Sequence, residues 1–404
     1  MTSAGPASGI PLLEDLGDVR GRRVLERVDF NVPLEDDPDA PGGRRVADDY
    51  RIRTALPTLG WLLEREAAVT ACSHLGRPKG APDPRFDMAP VRARLAELAP
   101  GVSLLENLRF SPGETANDPA FVDELVAGQD AYVNEAFSAS HRAHASIVGP
   151  PARLASAAGR QLAREVEVLG SLIGSPARPF VAIVGGAKVA DKIGVLESLA
   201  KKVDVLCVGG GMAFTFLAAA GHHVGDSLVD PDHVASCAAL LASGAEILLP
   251  VDVVALESQE PFGAGTAPGG GGWSEGGGGG SATPRTFAQD VPDGWRGLDI
   301  GPETAAAFGD VVAKAGTVFW NGPLGVAEDE RFASGTREVA LAVASSPGFS
   351  VVGGGDSVSA LEHLGLAERV DFLSTGGGAS LELLEHGDLP GLAALRAAPN
   401  APRR

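Results

Sequence analysis

Lysine is scarce in this chain of 404 residues, with 6 lysines among the 33 Lys and Arg together. Two of them, Lys188 and Lys192, stand four apart in Gly185-Gly186-Ala187-Lys188-Val189-Ala190-Asp191-Lys192. That spacing predicts one face of the first turns of a helix. Cations there oppose the helix dipole, so a bound anion would account for them. Two solvated lysines around Asp191 are the plainer alternative. Three more apolar runs end in glycine: Val208-Gly209-Gly210-Gly211, Val352-Gly353-Gly354-Gly355 and Thr375-Gly376-Gly377-Gly378. Glycine lets the backbone approach a phosphate, and a following helix offers free amides. A single such turn is weak evidence, because strand–helix turns use glycine without any ligand. Four on one sheet edge are harder to dismiss. Asp356 follows the third turn. It is placed either to cap the next helix or to hold Mg²⁺ beside phosphates.

A second set is cationic. Asp29 and Asn31 sit in Val28-Asp29-Phe30-Asn31-Val32-Pro33, followed by Arg51, then His74 and Arg77 in Ser73-His74-Leu75-Gly76-Arg77-Pro78. Arg109 and the cluster His141-Arg142-Ala143-His144 complete it. The planar guanidinium fork matches carboxylate and phosphate. Converging on one cleft, these arginines suit a small, multiply charged substrate; singly, each fits a surface ion pair. The histidines lack metal-ligand spacing. Together the two sets point to phosphoryl transfer, which needs positioning and charge neutralisation more than proton traffic. The dipeptide Gly-Lys is absent, so there is no Walker-type loop, and no Gly-x-Gly-x-x-Gly follows a first strand.

The elements that must carry these residues are short, unalternating apolar runs. They are Val24–Phe30, Ala67–Cys72, Val102–Leu105 and Ala131–Val133, then Phe180–Val184, Val203–Val208, Ile247–Val254, Thr317–Trp320, Phe349–Val352 and Phe372–Ser374. Such runs fit parallel strands buried on both faces, alternating with helices. A single eight-stranded barrel is the competing architecture. Leu162, Val166, Leu169 and Ile173 share one face of a helix expected over Gln161–Ile173, ended by Gly174, Pro176 and Pro179. That helix divides the runs, which favours an α/β chain of two doubly wound parallel-sheet domains joined by a hinge helix. The expected boundaries are 1–158, 159–175, 176–378 and a tail over 379–404. Gly263–Ser281, around Trp273, is glycine-dense and reads as a flexible surface loop, with a lid as the minority alternative.

Net charge is −19 and the pI about 4.8. Without a basic face, nucleic acid and anionic membrane surfaces are excluded as partners. No run approaches the roughly 18 apolar residues of a membrane span. The start of the chain, Met1–Leu16, lacks the pattern of a signal peptide. Three cysteines, Cys72, Cys207 and Cys237, fit a reducing cytoplasm without disulfides. The acidic, lysine-poor composition is that of salt-adapted proteins, although a GC-rich genome also favours arginine and alanine.

In combined order these motifs, with Arg27-Val28-Asp29-Phe30-Asn31, Glu106-Asn107-Leu108-Arg109-Phe110, Trp320-Asn321-Gly322-Pro323 and Ser374–Leu381, resemble phosphoglycerate kinase over nearly the whole chain. The acidic surface resembles salt-adapted, halophilic archaeal members. The resemblance implies reversible transfer of the acyl phosphate of 1,3-bisphosphoglycerate to MgADP, giving MgATP and 3-phosphoglycerate, by a cytoplasmic monomer. It implies that Asp29, Asn31, His74, Arg77, Arg109 and Arg142 hold phosphoglycerate, with Phe30, Leu75 and Gly76 lining that site. Arg51 and Lys188 would stabilise the transferring group, aided by amides around Gly354, Gly355 and Gly377. Lys192, Gly210, Asn321 and Ser357 would meet the nucleotide, Glu328 its ribose, and Asp356 the Mg²⁺. The chain departs from the family at Glu26 (usually Val), at Glu135-Ala136-Phe137-Ser138 (usually Asp-Ala-Phe-Gly) and at Ala327 (usually aromatic). Two other readings are a dehydrogenase, which needs the missing glycine motif, and a non-catalytic anion-binding protein, which would need neither Lys188 nor Asp356.

Overall fold

The structure is a computed structural model that describes residues 6–40, 43–260, 262 and 282–402. The Gly263–Ser281 insertion therefore lies outside the described residues. The chain divides into two compact units: Met1–Gly170 with His386–Arg404, and Ser171–Glu385.

In the first unit the strands are β1 (Arg23–Arg27), β2 (Leu34–Asp36), β3 (Arg44–Val46), β4 (Ala68–Cys72), β5 (Ser103–Leu104), β6 (Ala131–Asn134) and β7 (Ala155–Ala158). Five of them form a parallel sheet in the order β5-β4-β1-β6-β7. Its core joins Val24, Val28, Val69 and Val133 to Ile52, Leu59 and Leu62 of the helix Tyr50–Glu64. Sequence reading missed β7, because Ala155-Ser156-Ala157-Ala158 carries no large apolar residue. It also missed the polar hairpin β2–β3.

The second unit holds β8 (Phe180–Val184), β9 (Val205–Val208), β10 (Ile247–Leu248), β11 (Asp252–Glu257), β12 (Arg285–Ala288), β13 (Trp295–Ile300), β14 (Thr317–Asn321), β15 (Phe349–Gly353) and β16 (Phe372–Ser374). Six make a parallel sheet in the order β10-β9-β8-β14-β15-β16. The run expected as one strand over Ile247–Val254 is two. Pro250 lacks an amide for the ladder, so the parallel pairing stops at Leu248, and β11 joins an antiparallel sheet ordered β12-β11-β13. Two doubly wound sheets, rather than one barrel, are the architecture.

The expected dividing helix spans Arg160–Gly174, and the division between units falls within it, after Gly170. Its first amides are satisfied from other elements: Arg160 N donates to Thr58 Oγ1 at 2.8 Å and Gln161 N to Glu135 Oε1 at 3.2 Å. The helix Gly378–His386 belongs almost wholly to the second unit, and the segment that returns to the first begins at His386 rather than 379. There Leu389, Leu392 and Leu395 are buried. No described helix is long and apolar enough to cross a membrane.

Candidate active site

Parallel strands deliver their C-terminal ends to one edge, where open α/β sheets bind ligands. In the first unit that edge gathers Asp29, Asn31, His74, Arg77, Arg109 and Arg142 from the segments after β1, β4, β5 and β6. Arg51 comes from the first turn of the helix Tyr50–Glu64 and pairs with Asp29 Oδ2. Ser138 Oγ donates to the same oxygen. Burial works against the Asp29 charge, but the Arg51 guanidinium, the hydrogen bond from Ser138 and the Arg27 charge hold its pKa down at about 2.

Gly76 ties two of these residues together. Its amide donates to Asn31 Oδ1 and its carbonyl accepts from Arg109 Nη1, both at 2.8 Å. Its φ is +60°, and a Cβ there would strike the Phe86 ring at 2.2 Å, so only glycine fits. Asn107, deeply buried, braces the loop by donating to Leu75 O at 2.7 Å and Phe86 O at 3.0 Å. Phe30 and Leu75, expected to line the site, have their side chains in the hydrophobic core. Phe30 contributes its backbone, which donates to Ser73 Oγ at 2.8 Å.

The cations of this edge repel one another. Burial, then Arg142 and Arg27, bring Arg109 down to about 10, and its Nε has no partner among the described residues. Burial and Arg142 likewise bring His141 down to about 4. Arg77 and Arg142 are exposed. A partly desolvated cation cluster with few carboxylates is the electrostatic signature of an anion site.

In the second unit all four predicted glycine turns stand at one edge, after β8, β9, β15 and β16. Gly354 (φ +92°) is the N-cap of the helix Gly355–His363, and Gly377 (φ +48°) precedes the helix Gly378–His386. The free amides of both first turns open toward that edge. At Gly210 a Cβ would meet Gly186 N at 2.7 Å, so the first two turns pack backbone to backbone.

The lysine pair is not on a helix face. The helix starts at Ile193, so Lys188 lies exposed in the preceding loop and Lys192 is the N-cap. Gly185-Gly186 and the following turns delay the helix, leaving Lys192 free to turn inward. Its Nζ donates to Gly185 O at 2.6 Å and Asn321 Oδ1 at 2.9 Å, bridging the ends of β8 and β14 where the strand order reverses. Burial lowers its pKa to about 8, although Asp356 and Asp191 pull the other way. Asn321 is buried and its Nδ2 has no partner among the described residues. Ser357 is also buried. Its Oγ accepts from Gly322 N at 2.7 Å, so it props a turn rather than facing solvent. Glu328 is half-exposed and Asp356 exposed. Asp356 does not cap the helix, since Gly354 occupies that position.

The family model for phosphoglycerate kinase matches residues 13–103 and 99–387. A phosphoglycerate kinase of Rubrobacter xylanophilus is 49% identical over 402 residues, covering 94% of this chain and 96% of that one. One of Parafrankia sp. is 50% identical over 418 residues, covering 95% and 99%. The chain belongs to the phosphoglycerate kinase family. Its reaction is the reversible transfer of the acyl phosphate of 1,3-bisphosphoglycerate to ADP, giving ATP and 3-phosphoglycerate. The solved phosphoglycerate kinase of Coxiella burnetii superposes with a TM-score of 0.79 at 35% identity, covering 96% of this chain and 98% of that one. That of Pyrococcus horikoshii gives 0.80 at 28%, covering 96% and 99%. The relatives near half identity are bacterial, so the comparisons lend no support to an archaeal or halophilic affinity.

Sequence reading missed Arg27, Glu114 and Ser146 as parts of the site. Arg27 and Glu114 are charged yet almost wholly buried. Arg27 lies inside the run Val24–Phe30 expected as a buried strand, but nothing in the local sequence marks Glu114 as buried.

Proposed function

We propose that the first unit binds the phosphoglycerate and the second the nucleotide, in a cytoplasmic monomer. The observation that carries this assignment is the pair of unlike strand-end edges: one crowded with mutually repelling cations, the other built of glycine turns and helix amides around Lys192. Arg77, Arg109, Arg142 and His74 hold the substrate's phosphate and carboxylate, with Asp29 and Asn31 fixing its hydroxyl end. Lys192 and the turns at Gly210, Gly354 and Gly355 hold the nucleotide phosphates. Glu328 takes the ribose. Exposed Leu228, which a Cβ on Gly211 would contact at 3.4 Å, offers apolar surface for the base.

Transfer moves a phosphoryl group between two already ionised oxygens, so no general base is needed. Arg51 and Lys188 stabilise the charge of the moving group, and the amides after Gly354 and Gly377 donate hydrogen bonds to its oxygens. Arg51 exchanges its Asp29 partner for that group. The two substrates must meet and water must leave, so turnover includes closure about the helix Arg160–Gly174.

Asp356 fits a Mg²⁺ site. It is exposed at the first turn beside the phosphate-binding glycines, and its carboxylate has no hydrogen bond or ion pair among the described residues. No cluster of three metal-ligating side chains occurs among those residues. One carboxylate completed by phosphate oxygens and water is how Mg²⁺ is commonly held. Bound there, the ion would neutralise phosphate charge.

A coupled assay with 3-phosphoglycerate and MgATP tests the assignment. Arg51→Ala should lower kcat by about 100-fold or more while nucleotide affinity stays within about twofold of wild type. Unchanged turnover would remove Arg51 from the transfer step.

A further inference from the structure

Arg27 closes β1 and its guanidinium is almost completely enclosed, at 1% exposure. Each of its nitrogens is engaged. Nε donates to Ser146 Oγ at 2.9 Å, Nη1 to Val28 O, and Nη2 approaches His74 Nδ1 at 3.2 Å. Ser146 is fixed in turn. Its hydroxyl donates to Glu114 Oε1 at 2.6 Å and its amide to Glu114 Oε2 at 2.9 Å. The single hydroxyl proton of Ser146 is therefore spent on Glu114, and its lone pairs face Arg27. Glu114 is fully buried and supplies the countercharge for Arg27 through Ser146.

This chain has one direction. Guanidinium is always protonated and has no acceptor. The atom of His74 that meets it must present a lone pair, so Nδ1 carries no proton. An imidazolium would set N–H against N–H at 3.2 Å, which excludes the charged ring. We propose that Arg27 is a positioning residue for the reaction: anchored by Ser146 and Glu114, it fixes His74 as the neutral tautomer protonated on Nε2. That leaves Nε2–H as the ring's one polar donor for the phosphoglycerate anion. An unfixed imidazole would present an acceptor lone pair to the anion part of the time and repel it. The groups facing His74 agree. Burial comes first in holding it neutral, and Arg27, Arg109 and Arg142 add to that effect against Asp29. The inference rests on the reading that His74 contacts phosphoglycerate.

The test is imidazole ¹⁵N NMR on the full chain labelled at histidine, with the His74 signals assigned by their loss in His74→Asn. In wild type, Nδ1 should appear as a bare acceptor and Nε2 as N–H, unchanged across neutral pH. In Arg27→Met the two tautomers should mix and His74 should begin to titrate, since a cation is lost while Asp29 remains. The KM for 3-phosphoglycerate should rise about tenfold, the scale of one hydrogen bond to a charged group, with the KM for ATP unmoved. Should Arg27→Met fail to fold, Ser146→Ala keeps the cation but removes its anchor, and should shift the tautomer ratio in the same direction. A proton on Nδ1 in wild type, or a tautomer untouched by either variant, would overturn the proposal. Adding 3-phosphoglycerate separates the two layers. A His74 Nε2 signal that does not move would take His74 out of the substrate site, and Arg27 out of the reaction, even with the tautomer as stated.

Discussion

Single side chains in this protein are tuned by what burial permits. Lys192 is an ammonium turned inward onto carbonyl oxygens, and its pKa of about 8 reflects that desolvation. The charged form is present below that value and is lost as pH rises through it. Nucleotide phosphates favour the charged form, so binding must take up a proton at higher pH. ADP affinity measured by calorimetry should fall as pH rises from about 7 to about 9, and Lys192→Met should flatten that slope. A slope that survives in Lys192→Met would acquit Lys192. Ser138 stands where the family usually has glycine, and its hydroxyl shares Asp29 Oδ2 with Arg51. Ser138→Gly removes one charge-assisted hydrogen bond from the carboxylate. The KM for 3-phosphoglycerate should rise by roughly fivefold, with the ATP KM unchanged. Equal KM values in the two proteins would show that the bond contributes nothing.

At the scale of elements, the parallel sheet of the first unit encloses a carboxyl that no partner explains. Glu26, on β1 between β4 and β6, is fully buried and neither oxygen has a hydrogen bond among the described residues. Desolvation, then repulsion from Glu135, pushes its pKa well above the usual range. Burial likewise raises Glu135 to about 8, against the hydrogen bonds from Thr58 and the start of the helix Arg160–Gly174. Both acids bind protons more tightly folded than unfolded. Their contribution to stability is therefore present below the unfolded carboxyl pKa and fades as pH rises toward about 8. Valine, the family's usual residue, removes the unsatisfied carboxyl. Glu26→Val should stabilise the protein by roughly 1–3 kcal/mol near neutral pH, and more at pH 8 than at pH 5. Urea unfolding at the two pH values checks this; no gain at either would mean that Glu26 is satisfied in solution.

At the scale of the whole molecule, the first unit is completed by residues far along the chain. Leu392 and Leu395 are fully buried, and Asn400 bonds Ser156 through both backbone groups, at 2.8 and 3.1 Å. Such contacts join residues 244 apart in the chain, so their loop-closure entropy must be met before they form. Truncation after Glu385 removes these leucines, each typically contributing about 2–5 kcal/mol when buried. The truncated chain should lose phosphoglycerate binding and the cooperative melting of its first unit, as read by calorimetry and ligand titration. Retention of both would show that the returning segment is dispensable.

Composition and pattern suffice for the α/β class, the strand-end position of the reactive residues and the glycine turns, because each depends on local chemistry. Apolar runs bury, glycine turns bring backbone close, and arginines after strands land on one edge. The dividing helix was legible for the same reason, down to one residue at each end. Long-range packing decided the rest. The break at Pro250 that sends β11 to another sheet, the inward turn of Lys192 and the fates of Glu26 and Glu135 all depend on which groups lose water. So does the relay from Glu114 through Ser146 and Arg27 to His74, whose members lie up to 119 residues from the next. Desolvation is a property of the packed molecule, and no window of the sequence carries it.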